Sequence, residues 1–232
     1  FAGSSLDLQE WQIPLTDIQG SLNFTHRNIQ ARRLKAKALG STVTADIDTL
    51  SKPRNLTRIA VRSNISTQQL AQRLSEIDFG LISGRSEWSL SLDIPHSSAD
   101  AAAVPALLLS SDLKGVAVDL PAPFGKVAEQ ARNFVIGMEF PESASRSITF
   151  QYGSLVNLVL SSQAEAGGGR KFTRGALQLG GEPAKIPRAE GFEVGGRLKY
   201  LDLKAWAGLL QPEAGNSGAL PLNRLKLKVE RM

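Results

Sequence analysis

Apolar and polar residues alternate along most of this chain. In Trp88-Ser89-Leu90-Ser91-Leu92-Asp93-Ile94 a polar residue separates each apolar residue from the next. In an extended strand that spacing puts Trp88, Leu90, Leu92 and Ile94 on one face. The same period of two recurs at Ile13/Leu15, Leu22/Phe24, Leu34/Ala36/Ala38, Val43/Ala45/Ile47, Ile59/Val61, Leu107/Leu109 and Val116/Val118/Leu120. It continues through Phe134/Ile136/Met138/Phe140, Ile148/Phe150/Tyr152, Leu158/Leu160, Leu177/Leu179 and Leu225/Leu227/Val229. A helix returns to its own face every three to four residues and cannot use this spacing. The pattern predicts about a dozen strands, each with one apolar face.

The breaks between strands are short and rich in glycine: Gly40-Ser41, Ser83-Gly84, Lys114-Gly115, Gly167-Gly168-Gly169, Gly180-Gly181 and Gly195-Gly196. They leave little room for helical crossovers, so the expected connection is an antiparallel meander. Pro14, Pro95, Pro121, Pro123, Pro141, Pro183 and Pro187 fall mostly at strand ends, where a missing N–H does least damage to a ladder.

Two stretches leave the pattern and read as short helices. One covers residues 67–76, capped by Ser66 or Thr67 with Leu70 and Leu74 stacked; the other covers residues 202–210 and holds Trp206, Leu209 and Leu210. Each follows a strand, at residues 59–65 and 192–201, which suggests a weak repeat over residues 1–120 and 121–232. The best linker candidates, residues 96–103 and 211–218, are short, so one elongated segment over residues 1–232 is expected. A dozen strands stacked at about 4.8 Å would make a slab roughly 50–60 Å long.

Composition narrows what the apolar faces are made of. The chain is 42% apolar but only 6% aromatic, so its buried surface is mainly Leu, Val, Ile and Ala. Net charge is +5, yet the basic residues are scattered, as at Arg32-Arg33, Arg170-Lys171, Arg224, Lys226 and Lys228. They lack the aromatic platform or reading helix of a nucleic-acid binder, and no nucleic-acid partner is expected. With no cysteine, disulfides and thiol chemistry are excluded. No apolar run is long enough to cross a bilayer as a helix. The start at Phe1-Ala2-Gly3, without an initiator Met, reads as a piece of a longer protein.

The sequence carries no recognisable catalytic or metal-binding constellation. His26 and His96 stand at unrelated positions with no second ligand nearby. Asp46 and Asp48 have the spacing of some divalent-cation sites, but in a strand they simply share the solvent face. Ser83-Gly84-Arg85-Ser86 and Gly215-Asn216-Ser217-Gly218 miss the spacing of a nucleophile elbow. Gly125-Lys126 lacks the upstream glycine and the following hydroxyl of a phosphate loop. Asn23-Phe24-Thr25, Asn55-Leu56-Thr57 and Asn64-Ile65-Ser66 match the glycosylation triplet as polar strands often do. Gly167 to Gly169 before Arg170-Lys171 reads as a hairpin tip with solvated flanking charges rather than an anion cradle. No enzyme activity, metal or cofactor is expected.

One apolar face per strand suits a sandwich core, the outer wall of a membrane barrel, or the lining of a groove for an apolar ligand. The two helices and the scarcity of Trp and Tyr argue against a barrel with aromatic girdles. The strands also lack the large-to-small interleaving expected where two sheets interdigitate, whereas an acyl chain tolerates a plainer surface. The rival from another class is a structural or adhesive β-module that binds protein partners along an exposed sheet edge.

Three stretches carry a family likeness. Residues 13–24, with Ile13-Pro14-Leu15 and Gly20-Ser21-Leu22, followed by Gln30-Ala31-Arg32-Arg33-Leu34 and Ala38-Leu39-Gly40, resemble strand–turn–strand units of the YhdP group of AsmA-like proteins. The run from Ser83-Gly84 through Trp88 to Pro95, then Asp112-Leu113-Lys114-Gly115 to Pro121-Ala122-Pro123-Phe124-Gly125-Lys126, is similar to that group in order and spacing. Residues 112–126 are the most specific part. Residues 191–210, from Gly191-Phe192 to Trp206 and Leu210, resemble its strand-then-helix unit. Ser86-Glu87 stands before Trp88 where the group is expected to carry a proline.

The resemblance implies a mainly β fold: an elongated, strongly twisted antiparallel sheet curved into an open, taco-like hydrophobic groove, with two short helices. It implies a periplasmic segment of an inner-membrane-anchored protein of diderm bacteria, with the anchor outside this stretch. Its task would be to carry phospholipids from the inner towards the outer membrane, supporting outer-membrane lipid homeostasis and barrier function. No catalytic residues and no cofactor come with it. The expected lining is Trp88, Leu90, Leu92, Ile94, Leu107, Leu109, Val116, Val118, Leu120, Phe134, Ile136, Met138, Phe140, Ile148, Phe150 and Tyr152. The expected partners are phospholipids and, through other parts of the protein, the two membranes. Cut sheet edges could pair the isolated piece into a dimer.

Overall fold

A computed structural model describes residues 2–8, 13–26, 28–51, 55–72, 79–96, 104–141, 145–165, 169–209 and 221–231. The protein is mostly β, and it divides into two compact units, residues 1–117 with 128–131, and residues 118–127 with 132–232. The linker candidates at 97–103 and 211–218, residues 73–76 of the expected first helix, and Gly167 and Gly168 lie outside the described residues.

The first unit holds β1 (Ala2–Leu8), β2 (Ile13–Gln19), β3 (Leu22–Phe24), β4 (Ile29–Ala38), β5 (Ser41–Leu50), β6 (Leu56–Ser66), α1 (Thr67–Ala71), β7 (Ile82–Pro95), β8 (Ala106–Ser111) and all but the last residue of β9 (Val116–Val118). The strands form an open antiparallel run in the order β1-β2-β4-β5-β6-β7-β8, with β3 on β4 and β9 on β7. The alternation predicts each of these strands except β1, whose Ser4-Ser5 interrupts the apolar rhythm.

A bulge in β4 corrects the alternation where it would otherwise fail. Ala31 pairs with Ile47 and Leu34 with Ala45, three residues against two. The extra residue is taken up at Arg33, whose φ is +50° and whose N–H donates to the Asp46 carboxylate at 2.9 Å. Ala31 and Leu34 therefore face the same side. The helix α1 starts with a capping box: Ser66 Oγ accepts from the Gln69 N–H at 3.2 Å, and Gln69 Oε1 accepts from the Ser66 N–H at 3.0 Å.

The second unit holds β10 (Phe134–Glu139), β11 (Ser145–Tyr152), β12 (Val156–Ala164), β13 (Arg170–Leu179), β14 (Gly191–Leu198), α2 (Leu203–Leu209) and β15 (Leu222–Val229). Strands β10 to β13 pair antiparallel in sequence order. The pairs β13/β14 and β14/β15 are parallel, so the architecture is mixed rather than the wholly antiparallel meander expected.

The reason lies in the connections. Parallel neighbours need a return crossover. Residues 180–190 supply one after β13, and the segment containing α2 supplies the next. Gly180 and Gly181, which look like a tight turn in the sequence, instead open the first crossover with φ of +84° and +96°. Asp202 starts α2 by accepting from the Ala205 N–H at 2.9 Å.

Candidate functional site

The strand registers turn the alternation into rows, because residues directly opposite each other point to the same side of a sheet. In the first unit one row runs Ala31, Ile47, Ile59, Leu92, Leu107 across β4 to β8. The adjacent row runs Leu34, Ala45, Val61, Leu90, Leu109 over the same strands. Beside it stand Ala36, Val43, Ser63 and Trp88. Five strands thus present one continuous, largely aliphatic face.

The other side of the same strands is charged. Arg58 holds Asp93 through two hydrogen bonds of 2.7 Å, and Arg32 meets Asp48 at 2.7 Å. Hydrogen bonding to Arg58 pulls the Asp93 carboxyl below its usual range, against the opposing effect of partial burial. Asp46 and Asp48, spaced like a cation site, are engaged by the Arg33 N–H and the Arg32 guanidinium. Among the described residues no three His, Cys, Asp or Glu side chains converge as metal ligands would.

The second unit repeats the arrangement over six strands. Its rows are Phe134, Tyr152, Val156, Leu179, Gly196, Leu227; then Ile136, Phe150, Leu158, Leu177, Val194, Leu225; then Met138, Ile148, Leu160, Gly175, Phe192, Leu222. The Phe134 and Phe150 rings meet edge to face at 5.2 Å on this side. The reverse side carries residues such as Gln151, Asn157 and Gln178. Both parallel pairings carry the rows onward, the second through a register shift between Phe192 and Glu193 that sets Leu222 three residues from Leu225.

These faces are not enclosed as a core would be. Of the sixteen expected lining residues, Leu107, Val116, Val118 and Tyr152 are buried, Ile94 is 39% exposed, and the other eleven are half-buried. Trp88, Leu90, Leu92, Leu109, Phe134, Ile136, Met138, Ile148 and Phe150 belong to the rows. Val116 is only 2% exposed, Val118 is tied to Lys126 by a pair of backbone hydrogen bonds, and Leu120 lies beyond the end of β9. Phe140 lies just past β10. The rows also contain Ile47, Ile59, Val61, Leu158, Leu160, Leu177 and Val194, which were not among the expected lining; the period of two that identifies Leu90 and Ile136 marks most of them equally.

One end of the second unit's face is closed. The Tyr152 hydroxyl donates to the Phe124 carbonyl at 2.9 Å, and Arg132 donates to the same carbonyl at 2.8 Å and to the Tyr152 oxygen at 3.0 Å. Arg132 also lies 4.8 Å over the Tyr152 ring. Burial raises the Tyr152 pKa, with Arg132 opposing it. On the far side of the turn, Phe124 meets Trp206 of α2 edge to face at 5.5 Å. Leu198, further along this end, is 2% exposed.

What the arrangement offers chemically is contact with apolar matter along two aliphatic faces. Among the described residues no helix is long and apolar enough to cross a membrane. No curated protein and no solved structure matches the chain. The profile of the family described as YhdP protein matches residues 1–232, the full sequence, and the chain therefore belongs to the YhdP family.

Proposed function

We propose that this chain is a non-catalytic stretch of a phospholipid conduit between the inner and outer membranes of diderm bacteria. Membership of the YhdP family relates it to AsmA-like proteins of lipid transport. It works in the periplasm, as part of a protein anchored in the inner membrane by a segment outside this sequence, and it serves outer-membrane lipid homeostasis and the permeability barrier.

The observation that carries this reading is the half-exposure of the central rows. Leu90, Leu92, Leu109, Ile136, Phe150 and Leu158 are neither buried as a core would be nor scattered singly over a surface. Contiguous apolar patches of this kind mark binding surfaces. Acyl chains lie against the rows while headgroups stay in water, and each methylene withdrawn from water contributes about 0.8 kcal/mol. Because neighbouring strands offer similar contacts along each row, a lipid shifts from one strand to the next without a large barrier. Direction must come from a gradient or a partner, since an evenly apolar track favours neither end.

The rival role, a β-module docking proteins along an edge, would draw on β15, where Leu222 and Leu225 are 57% and 65% exposed. It leaves the half-exposed rows of β5 to β8 without a use. Native mass spectrometry of the purified chain separates the two: co-purified phospholipid is expected, and its consistent absence under gentle extraction favours the edge-docking module.

A further inference from the structure

On the second unit the apolar face does not simply fade into solvent; it ends on two arginines. One row beyond Met138, Ile148 and Leu160, the register sets Arg146 of β11 opposite Ser162 of β12, and Ser162 opposite Phe172 of β13. Arg146 is two residues from Ile148, and Ser162 two from Leu160, so both keep to the side of the rows. On β13 a register shift lets Phe172 share that side with Gly175, three residues away. Arg170, two residues before Phe172, follows. Its Nε donates to Ser162 Oγ at 3.1 Å and an Nη to the Ser162 carbonyl at 3.0 Å. Arg170 is thus bonded to Ser162, which is only 4% exposed, and Arg146 is the serine's register neighbour on β11.

Arg146 is held in a particular way. Its guanidinium lies 5.2 Å over the Phe140 ring, and among the described residues it forms no ion pair with a carboxylate. A contact with a ring uses the charge of a guanidinium without consuming its N–H donors. The charge balance points the same way. The second unit contains fifteen basic and ten acidic residues and the first twelve of each, so the entire net excess of five lies on the unit that carries these arginines.

The geometry points to a headgroup cradle: Arg146 and Arg170, on either side of Ser162 at one end of the face, bind the phosphate of a phospholipid whose acyl chains cross the rows of the second unit, running parallel to β11. This rests on the conduit reading above. A phosphodiester presents two unesterified oxygens, one for each arginine, and arginine–phosphate hydrogen bonds are charge-assisted. The lengths agree. From Arg146 to Tyr152 is six residues along β11, about 20 Å at about 3.3 Å each. One acyl chain spans about half of a hydrocarbon core roughly 30 Å thick. The enclosed end at Tyr152 and Leu198 then receives the chain ends, and the lipid has a fixed orientation on this unit.

The test is a titration of the full chain and of R146Q and R170Q with three probes: dihexanoyl phosphatidylglycerol, dihexanoylglycerol and inorganic phosphate. Each substitution is expected to weaken the phospholipid roughly tenfold, the loss of a charge-assisted pair, and to leave dihexanoylglycerol unchanged. Inorganic phosphate, without chains to tether it, is expected to bind far more weakly than the phospholipid. Unaltered phospholipid binding in both variants overturns the cradle and leaves the conduit standing. Loss of both lipids together in the variants also overturns the assignment of these arginines to the headgroup. Phosphate binding as tight as that of the phospholipid, with none for dihexanoylglycerol, makes the site one for free phosphate and overturns the proposal. If the unsubstituted chain binds neither lipid, the conduit reading fails and the cradle with it.

Discussion

Gly175 and Phe192 stand directly opposite each other in the parallel strands β13 and β14, and the phenyl ring occupies the space that a side chain on Gly175 would need. A Cβ at Gly175 would come within 2.7 Å of Phe192 Cδ2 and within 2.7 Å of Leu160 Cδ2. The glycine is a packing device in the third apolar row, allowing a large ring between two aliphatic neighbours. Gly175→Val is expected to displace the ring and lower stability by about 1–3 kcal/mol, the usual cost of overpacking. Urea denaturation measures it, and an unchanged midpoint would show that the row has slack the packing does not reveal.

The Arg58–Asp93 pair sets a pH dependence with a definite sign. Arg58 depresses the folded carboxyl, so the pair's contribution is present above the unfolded value of about 3.9 and is lost as pH falls towards the folded one. Both groups are partly exposed, which keeps the contribution below about 1 kcal/mol. Asp93→Asn should therefore narrow the gap to the unsubstituted protein between pH 6 and pH 3, in steps read by denaturant titration. A gap of constant size across that range would remove Arg58 as the cause.

Tyr152 ties the closed end of the second unit together. Tyr152→Phe removes the hydroxyl from the Phe124 carbonyl, while Arg132 still reaches that carbonyl. The expected loss is about 1 kcal/mol at neutral pH. With its folded pKa raised by burial, the phenol's contribution is intact below about 10 and drains as pH rises through the folded value. Tyr152→Phe should abolish that alkaline loss, and an alkaline limb of the stability profile identical in both proteins would contradict it.

Leu90 and Val116 come from the same kind of alternating run yet sit in different environments, one half-buried on the open face and the other enclosed at 2% exposure. Leu90→Asn should cost only about 1 kcal/mol, since water already reaches the site. Val116→Asn should cost several times more, because its amide would be buried without hydrogen-bond partners. Equal losses in thermal or chemical unfolding would mean that Leu90 is covered as a core residue.

These contrasts show where the sequence was legible. Period two located nearly every strand and placed Leu90 with Leu92 in the first unit, and Ile136 with Met138 in the second, because side-chain direction in a strand depends only on parity. Parity says nothing about partners, so Gly180-Gly181 read as a hairpin turn when it opens the crossover into the parallel strand β14. It also fails wherever a bulge inserts a residue: Ala31 joins Leu34's face only through Arg33. Nor can it separate an open face from an enclosed one, which is why Val116 and Val118 looked like lining. Arg146 and Arg170 lie far apart in sequence, and only the pairing of β11, β12 and β13 brings them to the same end of the face.

In each unit lipid is expected against one side of the strands and not the other. The most direct measurement places a photo-crosslinking residue at Leu92 or Ile136 on the apolar rows, and at Ser91 or Gln151 on the reverse side, in the full protein in cells. Phospholipid adducts are expected at Leu92 and Ile136 and absent at Ser91 and Gln151. Adducts at none of the four, or equally at all four, would contradict the assignment of this face to lipid.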